Sequence, residues 1–227
     1  MATSGTYTFD LDLADVLEEA FERCGSELRS GYDYRTGRRS LNLLLLEWQN
    51  KGLNLWTIDS ASQALTAGTA SFALTGEKLD IIEAMLRTGS GTSQSDLSMR
   101  RVSISTFAQQ TNKNSTGRPI QYWLSRTSSG ITVNLWPVPD ASQSYTFVYY
   151  YMKQIEDAGA SGAATLDVPT RHLPALTAGL AYYLSLKLPE ASARSEGLKA
   201  VYDEQWNLAA DSVREKASWY LRPGGGY

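Results

Sequence analysis

The stretch from Arg38 to Trp56, RRSLNLLLLEWQNKGLNLW, constrains the fold more than any other part of the chain. Its first half carries apolar residues at i, i+3, i+4 and i+7, the spacing of one buried helix face: Leu41, Leu44, Leu45 and Trp48. Gly52 stands where a left-handed residue commonly ends a helix, and a strand-like Leu-Asn-Leu-Trp follows it. The stretch therefore predicts a helix that packs against a β element.

Further helices are predicted on both sides of this one. Asp12 is the expected N-cap of a first helix that runs to Cys24, and the polar segment at residues 25–37 is expected to be a loop. Near the other end, Pro174 is tolerated in a first helical turn, and leucines then recur at i+4 intervals. A proline ends that helix, and a last, long helix is predicted to reach about Leu221.

The middle of the chain has the pattern of β structure. Alternating apolar residues predict strands at 120–125 and 131–136, joined by a TSSG hairpin loop. Residues 145–152 are apolar on both faces, which predicts a strand buried on both sides or covered by a partner. Residues 79–86 suit either a strand or a helical turn, and residues 103–110 suit a short helix.

Two helices before the β block and two after it predict an α+β fold. We expect the N- and C-terminal helices to form one bundle into which an antiparallel β domain is inserted, because neither half of the bundle buries its apolar stripe alone. The expected divisions are a discontinuous helical bundle at residues 1–52 and 165–222, a β domain at 53–164 and a flexible tail at 223–227.

Several protein classes are disfavoured by composition. The formal net charge of −3 argues against tight, generic binding of nucleic acid. The single Cys24 cannot form a disulfide within the chain. The N-terminus lacks the basic and apolar regions of a signal peptide, and the longest apolar run, residues 173–188, is short for a membrane span and contains Lys187.

No catalytic, cofactor-binding or metal site is predicted. The single His172 lies next to a helix start without the G-x-S-x-G motif that accompanies many nucleophilic serines, so a packing or capping role is favoured. Asp10, Asp12 and Asp15 lack the glycine and the terminal glutamate of a calcium loop, and Gly89–Ser93 lacks the ending of a phosphate-binding loop. A site built only from carboxylates stays open, and the glutamates of the first helix fit a solvated face.

Two groups of residues are candidates for binding. A set of basic residues decorates the β block, either as solvated loop charges or as a weak positive ring facing a polyanion: Arg100, Arg101, Lys113 and Arg118. The chain is also rich in aromatic residues, with six Trp and thirteen Tyr, which are favoured at protein interfaces. The candidates for a partner interface lie near the C-terminus: Trp219, Tyr220, Leu221 and Tyr227.

Taken in order, several segments resemble head-to-tail adaptor proteins of short-tailed bacteriophages. The resemblance begins at RRSLNLLLLEWQNKGLNLWTI and extends over nearly the whole chain. It continues through QALTAGTASFALTGEKLDIIEAMLR, GRPIQYW, VNLWPVPD, DVPTRHLPAL and VYDEQWNLA. These segments are made of core-type residues rather than reactive ones, so the resemblance implies no catalytic residue and no cofactor.

The resemblance implies a structural protein of the virion neck that forms a ring, commonly of twelve copies, below the portal protein. Such a ring continues the DNA channel, lets double-stranded DNA pass with weak, non-specific contacts, helps retain packaged DNA and docks the downstream tail or nozzle protein. Assembly would take place in the host cytoplasm, without a membrane. Two other hypotheses stay open: an aromatic-rich module that binds a receptor or glycan, and a carboxylate-using hydrolase.

Overall fold

The computed structural model describes residues 5–6, 8–52, 55–128 and 130–213, and the chain forms two compact units. A helical unit comprises residues 1–56 and 155–227, and a β unit comprises residues 57–154. The described α-helices are α1 (Leu13–Cys24), α2 (Gly31–Lys51), α3 (Ile104–Ala108), α4 (Leu173–Ser185) and α5 (Ser195–Val213). With helices flanking a largely antiparallel β region, the predicted α+β class is confirmed.

Side-chain caps explain where the first two helices begin. Asp12 caps α1 as predicted, since its Oδ1 accepts a hydrogen bond of 3.0 Å from the backbone N–H of Asp15. The predicted loop over residues 25–37 is wrong in its second half, because α2 already begins at Gly31. Ser30 and Asp33 form a capping box there, in which each side chain bonds the other's backbone N–H.

The helical unit is built around α4. The described part of α4 contacts α1, α2 and α5, and most of its side chains are buried. The predicted apolar faces of α1 and α2 pack into the same core, whose largest fully buried members are Trp48, Phe21, Leu13, Leu17, Leu41, Leu44 and Leu176. The last helix begins at Ser195, after a 3-10 segment at Pro189–Arg194, and its predicted end near Leu221 lies outside the described residues.

The strands of the β unit are β1 (Ile58–Ala64), β2 (Ser71–Leu74), β3 (Lys78–Thr88), β4 (Ser95–Ser98), β5 (Arg100–Arg101), β6 (Thr116–Gly117), β7 (Gln121–Thr127), β8 (Gly130–Trp136), β9 (Val138–Pro139) and β10 (Tyr145–Lys153). One sheet has the order β1-β10-β3-β4 and a second has the order β2-β8-β7-β5. The β6-β9 pair and the β5-β7 contact are parallel, and the other pairings are antiparallel.

The predicted strands and the short helix at 103–110 are present, and the ambiguous segment at 79–86 is strand β3. Strand β10 lies between β1 and β3, and its alternate side chains Tyr145, Phe147, Tyr149 and Tyr151 pack in the core of the unit. On its other face Val148 is buried, whereas Tyr150 is 43% exposed. The expectation of burial on both sides therefore holds for only part of this strand.

Candidate interaction surfaces

The basic residues predicted to contact DNA all lie in the β unit, and two of them form strand β5. Arg101 is engaged within the unit, because its Nη1 lies 3.2 Å from Oδ1 of Asp80 and donates a 2.9 Å hydrogen bond to the carbonyl oxygen of Ile81. The second carboxylate oxygen of Asp80 lies 2.6 Å from Nη2 of Arg126. Asp80 thus compensates two guanidinium groups, and Arg126 is a basic residue of this cluster that the sequence interpretation missed.

The other predicted basic residues differ in their surroundings. Nζ of Lys113 donates to the carbonyl oxygens of Ala108, at 3.0 Å, and Gln110, at 3.4 Å, so it caps the C-terminal end of α3. Arg100 and Arg118 are exposed, and neither forms an ion pair with another described residue. The four residues are therefore not equivalent, and their contact with DNA stays a prediction.

The predicted partner interface at Trp219, Tyr220, Leu221 and Tyr227 lies outside the described residues. The predicted flexible tail at residues 223–227 lies outside them as well. Both stay predictions.

A polar cluster inside the helical unit joins three helices at Glu47 of α2. The indole Nε1 of Trp48 donates to the hydroxyl oxygen of Tyr202 on α5, at 3.0 Å, and that hydroxyl donates to Oε1 of Glu47, at 3.2 Å. Tyr183 of α4 donates to the second carboxylate oxygen, and Nζ of Lys51 lies 2.7 Å from the first. The cluster orients the three helices relative to one another through directional bonds.

The pKa values follow from this arrangement. Partial burial raises the pKa of Glu47, but hydrogen bonds from Lys51, Tyr183 and Tyr202, together with the charge of Lys51, outweigh it, so the net direction is downward. Burial and the bond to Glu47 raise the pKa of Tyr183 well above its ordinary value. Glu47 is therefore the charged acceptor, and the tyrosines stay protonated as donors, which suits a structural cluster.

His172 occupies an aromatic pocket at the start of α4. Its ring centroid lies 4.8 Å from that of Trp56 and 6.3 Å from that of Trp48, and the residue is 2% exposed. Neither ring nitrogen has a hydrogen-bond partner among the described residues, and burial, with the nearby charge of Arg171, lowers the pKa of the imidazole. The packing role predicted for this histidine agrees with its surroundings.

Two helix faces of the helical unit point away from the core and carry opposite charges. The outward face of α1 presents carboxylates, as the sequence predicts for a solvated face, and lines an open groove with the start of α4. The outward face of α2 presents Arg35, Arg38 and Arg39 beside Tyr32 and Leu43. The sequence interpretation missed this second face as a unit, although its residues recur at helical spacing.

Within the described ranges, no group of three or more His, Cys, Asp or Glu residues is arranged to hold a metal ion. The described helices include none that is both long enough and apolar enough to cross a membrane.

The comparison with known families accounts for nearly the whole chain. The family model described as "SU10 adaptor protein" matches residues 11–225 of the 227, a range that covers the whole β unit and most of the helical unit. No curated protein matches the chain. The match agrees with the resemblance carried by the core-type segments, and the chain belongs to the SU10 adaptor protein family, a family of phage head-to-tail adaptors.

Proposed function

We propose that this chain is the repeating subunit of a ring at the neck of a phage particle, commonly of twelve copies, that lies below the portal protein. The ring extends the DNA channel, helps retain the packaged DNA and docks the downstream tail or nozzle protein. The observation that carries the proposal is the family match over residues 11–225, since members of this family are adaptors between head and tail. The role is structural rather than enzymatic.

The charges of the β unit support a channel that lets DNA slide. Each phosphate that a protein neutralises adds salt-sensitive affinity, so a channel lined with free cations would hold DNA rather than pass it. Several guanidinium groups of the unit are already compensated, as in the pairs Arg101–Asp80 and Arg87–Asp96, the latter with two bonds of 2.8 Å. Among the predicted contacts, Arg101 is ion-paired and Lys113 is hydrogen-bonded to backbone carbonyls, whereas the side chains of Arg100 and Arg118 have no ion-pair partner in the described part of the chain. We therefore assign the weak DNA contacts to Arg100 and Arg118.

We assign the portal contact to the C-terminal residues Trp219, Tyr220, Leu221 and Tyr227, because three of them are aromatic and aromatic side chains provide large contact areas at interfaces. The protein is expected at the neck of the virion, after assembly in the host cytoplasm.

Imaging of the tail vertex, combined with quantitative mass spectrometry of purified particles, tests the proposal. The expected result is density for this chain directly below the portal and a copy number equal to the ring size. Absence of the chain from intact particles would contradict the proposed function.

A second experiment tests the assignment of the portal contact. A chain truncated after Val213 is expected to keep its helical unit folded, as measured by circular dichroism, but to lose binding to purified portal protein. Full binding of portal protein by the truncated chain would show that the portal contact lies on another surface.

A further inference from the structure

The acidic groove lies between α1 and the start of α4 and has a volume of about 790 Å³. Asp15, Glu18 and Glu22 line it from α1, on the side of the helix opposite the buried face. Their carboxylates have no ion-pair partner among the described residues, whereas the neighbouring Glu19 pairs with Arg23 at 2.7 Å. The groove therefore presents uncompensated negative charge.

The stability of α1 itself does not explain these charges. Asp15 lies in the first turn, where a negative charge is favourable next to the positive end of the helix dipole. Glu18 and Glu22, however, are like charges at i and i+4, and Glu22 lies in the last turn, where the dipole disfavours a negative charge. A positively charged partner would relieve both effects.

Part of the wall of the groove is apolar. Phe9 is 74% exposed and lines the groove together with Leu11, Leu173 and Pro174. A large exposed aromatic ring beside unpaired carboxylates is the kind of surface that binds a partner with cationic and apolar side chains.

The basic face of α2 has the complementary properties. Arg35, Arg38 and Arg39 line an open groove of about 520 Å³ with Tyr32, which is 66% exposed, and Leu43, which is 49% exposed. The guanidinium groups find only neutral partners: Nε of Arg35 donates to the carbonyl oxygen of Gly31, at 3.2 Å, and Nη1 of Arg38 to that of Gly159, at 3.5 Å. In the described part of the chain, no carboxylate forms an ion pair with these three arginines.

The two faces cannot compensate each other within one copy. Where α1 and α2 approach, Leu17 and Phe21 of α1 pack at Gly37 of α2, and all three residues are buried. In the described part of the chain, no ion pair joins the carboxylates of α1 to the arginines of α2, and the acidic groove and the basic groove share no lining residue. One copy therefore presents two separate, unpartnered surfaces of opposite charge, each with exposed apolar side chains.

We propose that the acidic groove on α1 of one copy binds the basic face on α2 of the next copy, with Tyr32 and Leu43 placed against Phe9. A contact between two different patches of the same chain is heterologous, and repeated around an axis it closes a ring. The proposal rests on the proposed function, because it assigns the lateral contact of that ring to named residues.

Charge reversal tests the proposed contact, because a variant with a reversed groove and a variant with a reversed face should bind each other although neither binds itself strongly. In the groove variant, Asp15→Lys, Glu18→Lys and Glu22→Lys make both surfaces positive, because only Asp10 and Glu19 then remain as acidic lining residues beside four basic ones. In the face variant, Arg35→Glu and Arg39→Glu make both surfaces negative. Each purified variant alone is expected to self-associate about tenfold or more weakly than the unmodified chain at low salt. An equimolar mixture of the two variants, and a single chain with all five substitutions, are expected to regain association, measured by sedimentation velocity and native mass spectrometry.

A matched control carries Glu196→Lys and Glu204→Lys, which reverse two exposed charges on α5, and it is expected to associate normally. Circular dichroism establishes that every variant is folded. The proposal is overturned if the unmodified chain stays monomeric at low salt, if the groove and face variants associate as it does, or if the mixture fails to recover. These results differ from a failure of the proposed function, which is absence of the chain from phage particles.

Discussion

At the scale of single residues, His172 shows how burial shifts the pKa of a titratable group. The imidazole packs against the rings of Trp56 and Trp48, and neither nitrogen has a hydrogen-bond partner among the described residues. Burial disfavours the charged form, so the pKa lies below its ordinary value of 6.5. The folded protein consequently holds this residue neutral under conditions in which the unfolded chain protonates it.

We predict that His172 makes the free energy of unfolding fall as the pH drops below about 6.5. In that window the unfolded state binds the extra proton, so stability rises with pH, by no more than about 1.4 kcal/mol per pH unit. Denaturant titrations at pH 7.5 and 5.5 measure the effect. Since the chain has a single histidine, a His172→Phe variant should lose this component of the pH dependence while keeping its stability at pH 7.5. An unchanged profile in the variant would contradict the prediction.

Glu47 titrates in a different window. Its folded pKa is lowered, so its contribution is present above the ordinary value of 4.5 and is lost as the pH falls through the folded value. A Glu47→Gln variant keeps the shape of the side chain but loses the charge that faces Lys51. We expect a loss of about 1 kcal/mol in the free energy of unfolding at pH 7, discounted for partial exposure, and a smaller difference near pH 3. A loss that is the same at both pH values would show that packing, rather than charge, is responsible.

Residue spacing indicated Trp48 as a core residue, and the position of His172 next to a helix start favoured a packing or capping role. Residue spacing did not reveal that Glu47 and Lys51 meet Tyr183 and Tyr202, since these residues are more than 130 positions apart and only the folded helices bring them together. The same limit applies to Arg101, whose partner Asp80 lies on a different strand.

At the scale of elements, α4 is the central helix of its unit, and its small residues let other helices come close. A Cβ added at Gly179 would lie 2.8 Å from Cε2 of Tyr202 and 3.0 Å from Cδ2 of Leu44. The Tyr202 ring is held by the bonds of its hydroxyl to Trp48 and Glu47, so it cannot retreat freely. A side chain at this position would therefore crowd the contact of α4 with α2 and α5.

A pair of glycine substitutions measures this crowding. Gly179→Ala is expected to lower the free energy of unfolding by about 1–2 kcal/mol, because overpacking outweighs the gain in helix propensity. Gly197→Ala on α5, where a Cβ would meet nothing within 4 Å, is the control and is expected to stabilise by about 0.5 kcal/mol. Thermal or chemical denaturation of both variants gives the comparison. An equal increase in the free energy of unfolding for the two variants would show that the contacts around Gly179 accommodate an added methyl group.

Helical periodicity and caps were sufficient to predict α1, the apolar face of α2 and the α4 helix. The start of α2 was predicted seven residues late, at Arg38 instead of Gly31, because residues 31–37 have no apolar stripe and their helical state depends on the Ser30–Asp33 capping box. The alternation of apolar and polar residues predicted β7 and β8. The apolar run of β3, in contrast, did not distinguish the period of a strand from that of a helix.

At the scale of the whole molecule, the β unit leaves and rejoins the helical unit through neighbouring strands. Ile58, near the start of β1, pairs with Met152, near the end of β10. Paired residues of antiparallel strands have Cα atoms about 5 Å apart. Each unit also has its own apolar core.

We predict that residues 57–154 can be replaced by a short Gly-Ser linker without unfolding the helical unit. The ends to be joined are close together, so the linker adds little loop-closure entropy. A helical circular dichroism spectrum with cooperative thermal unfolding is the expected result, and the excised β unit expressed alone should give a β-type spectrum. A helical unit that is unfolded without its insertion would show that it depends on the β unit for stability.

Local sequence was enough to predict most of the helices and strands and the α+β class, because apolar periodicity and capping residues act over a few neighbouring positions. The core-type segments also carried the resemblance to phage adaptors. Tertiary packing decided the charge pairs between distant parts of the chain, whereas local pairs such as Glu19–Arg23 follow from helical spacing. Ion pairs such as Arg101–Asp80, and the unpaired faces of α1 and α2, depend on distances between groups that lie far apart along the chain. Those distances are set when the helices and sheets pack around their cores.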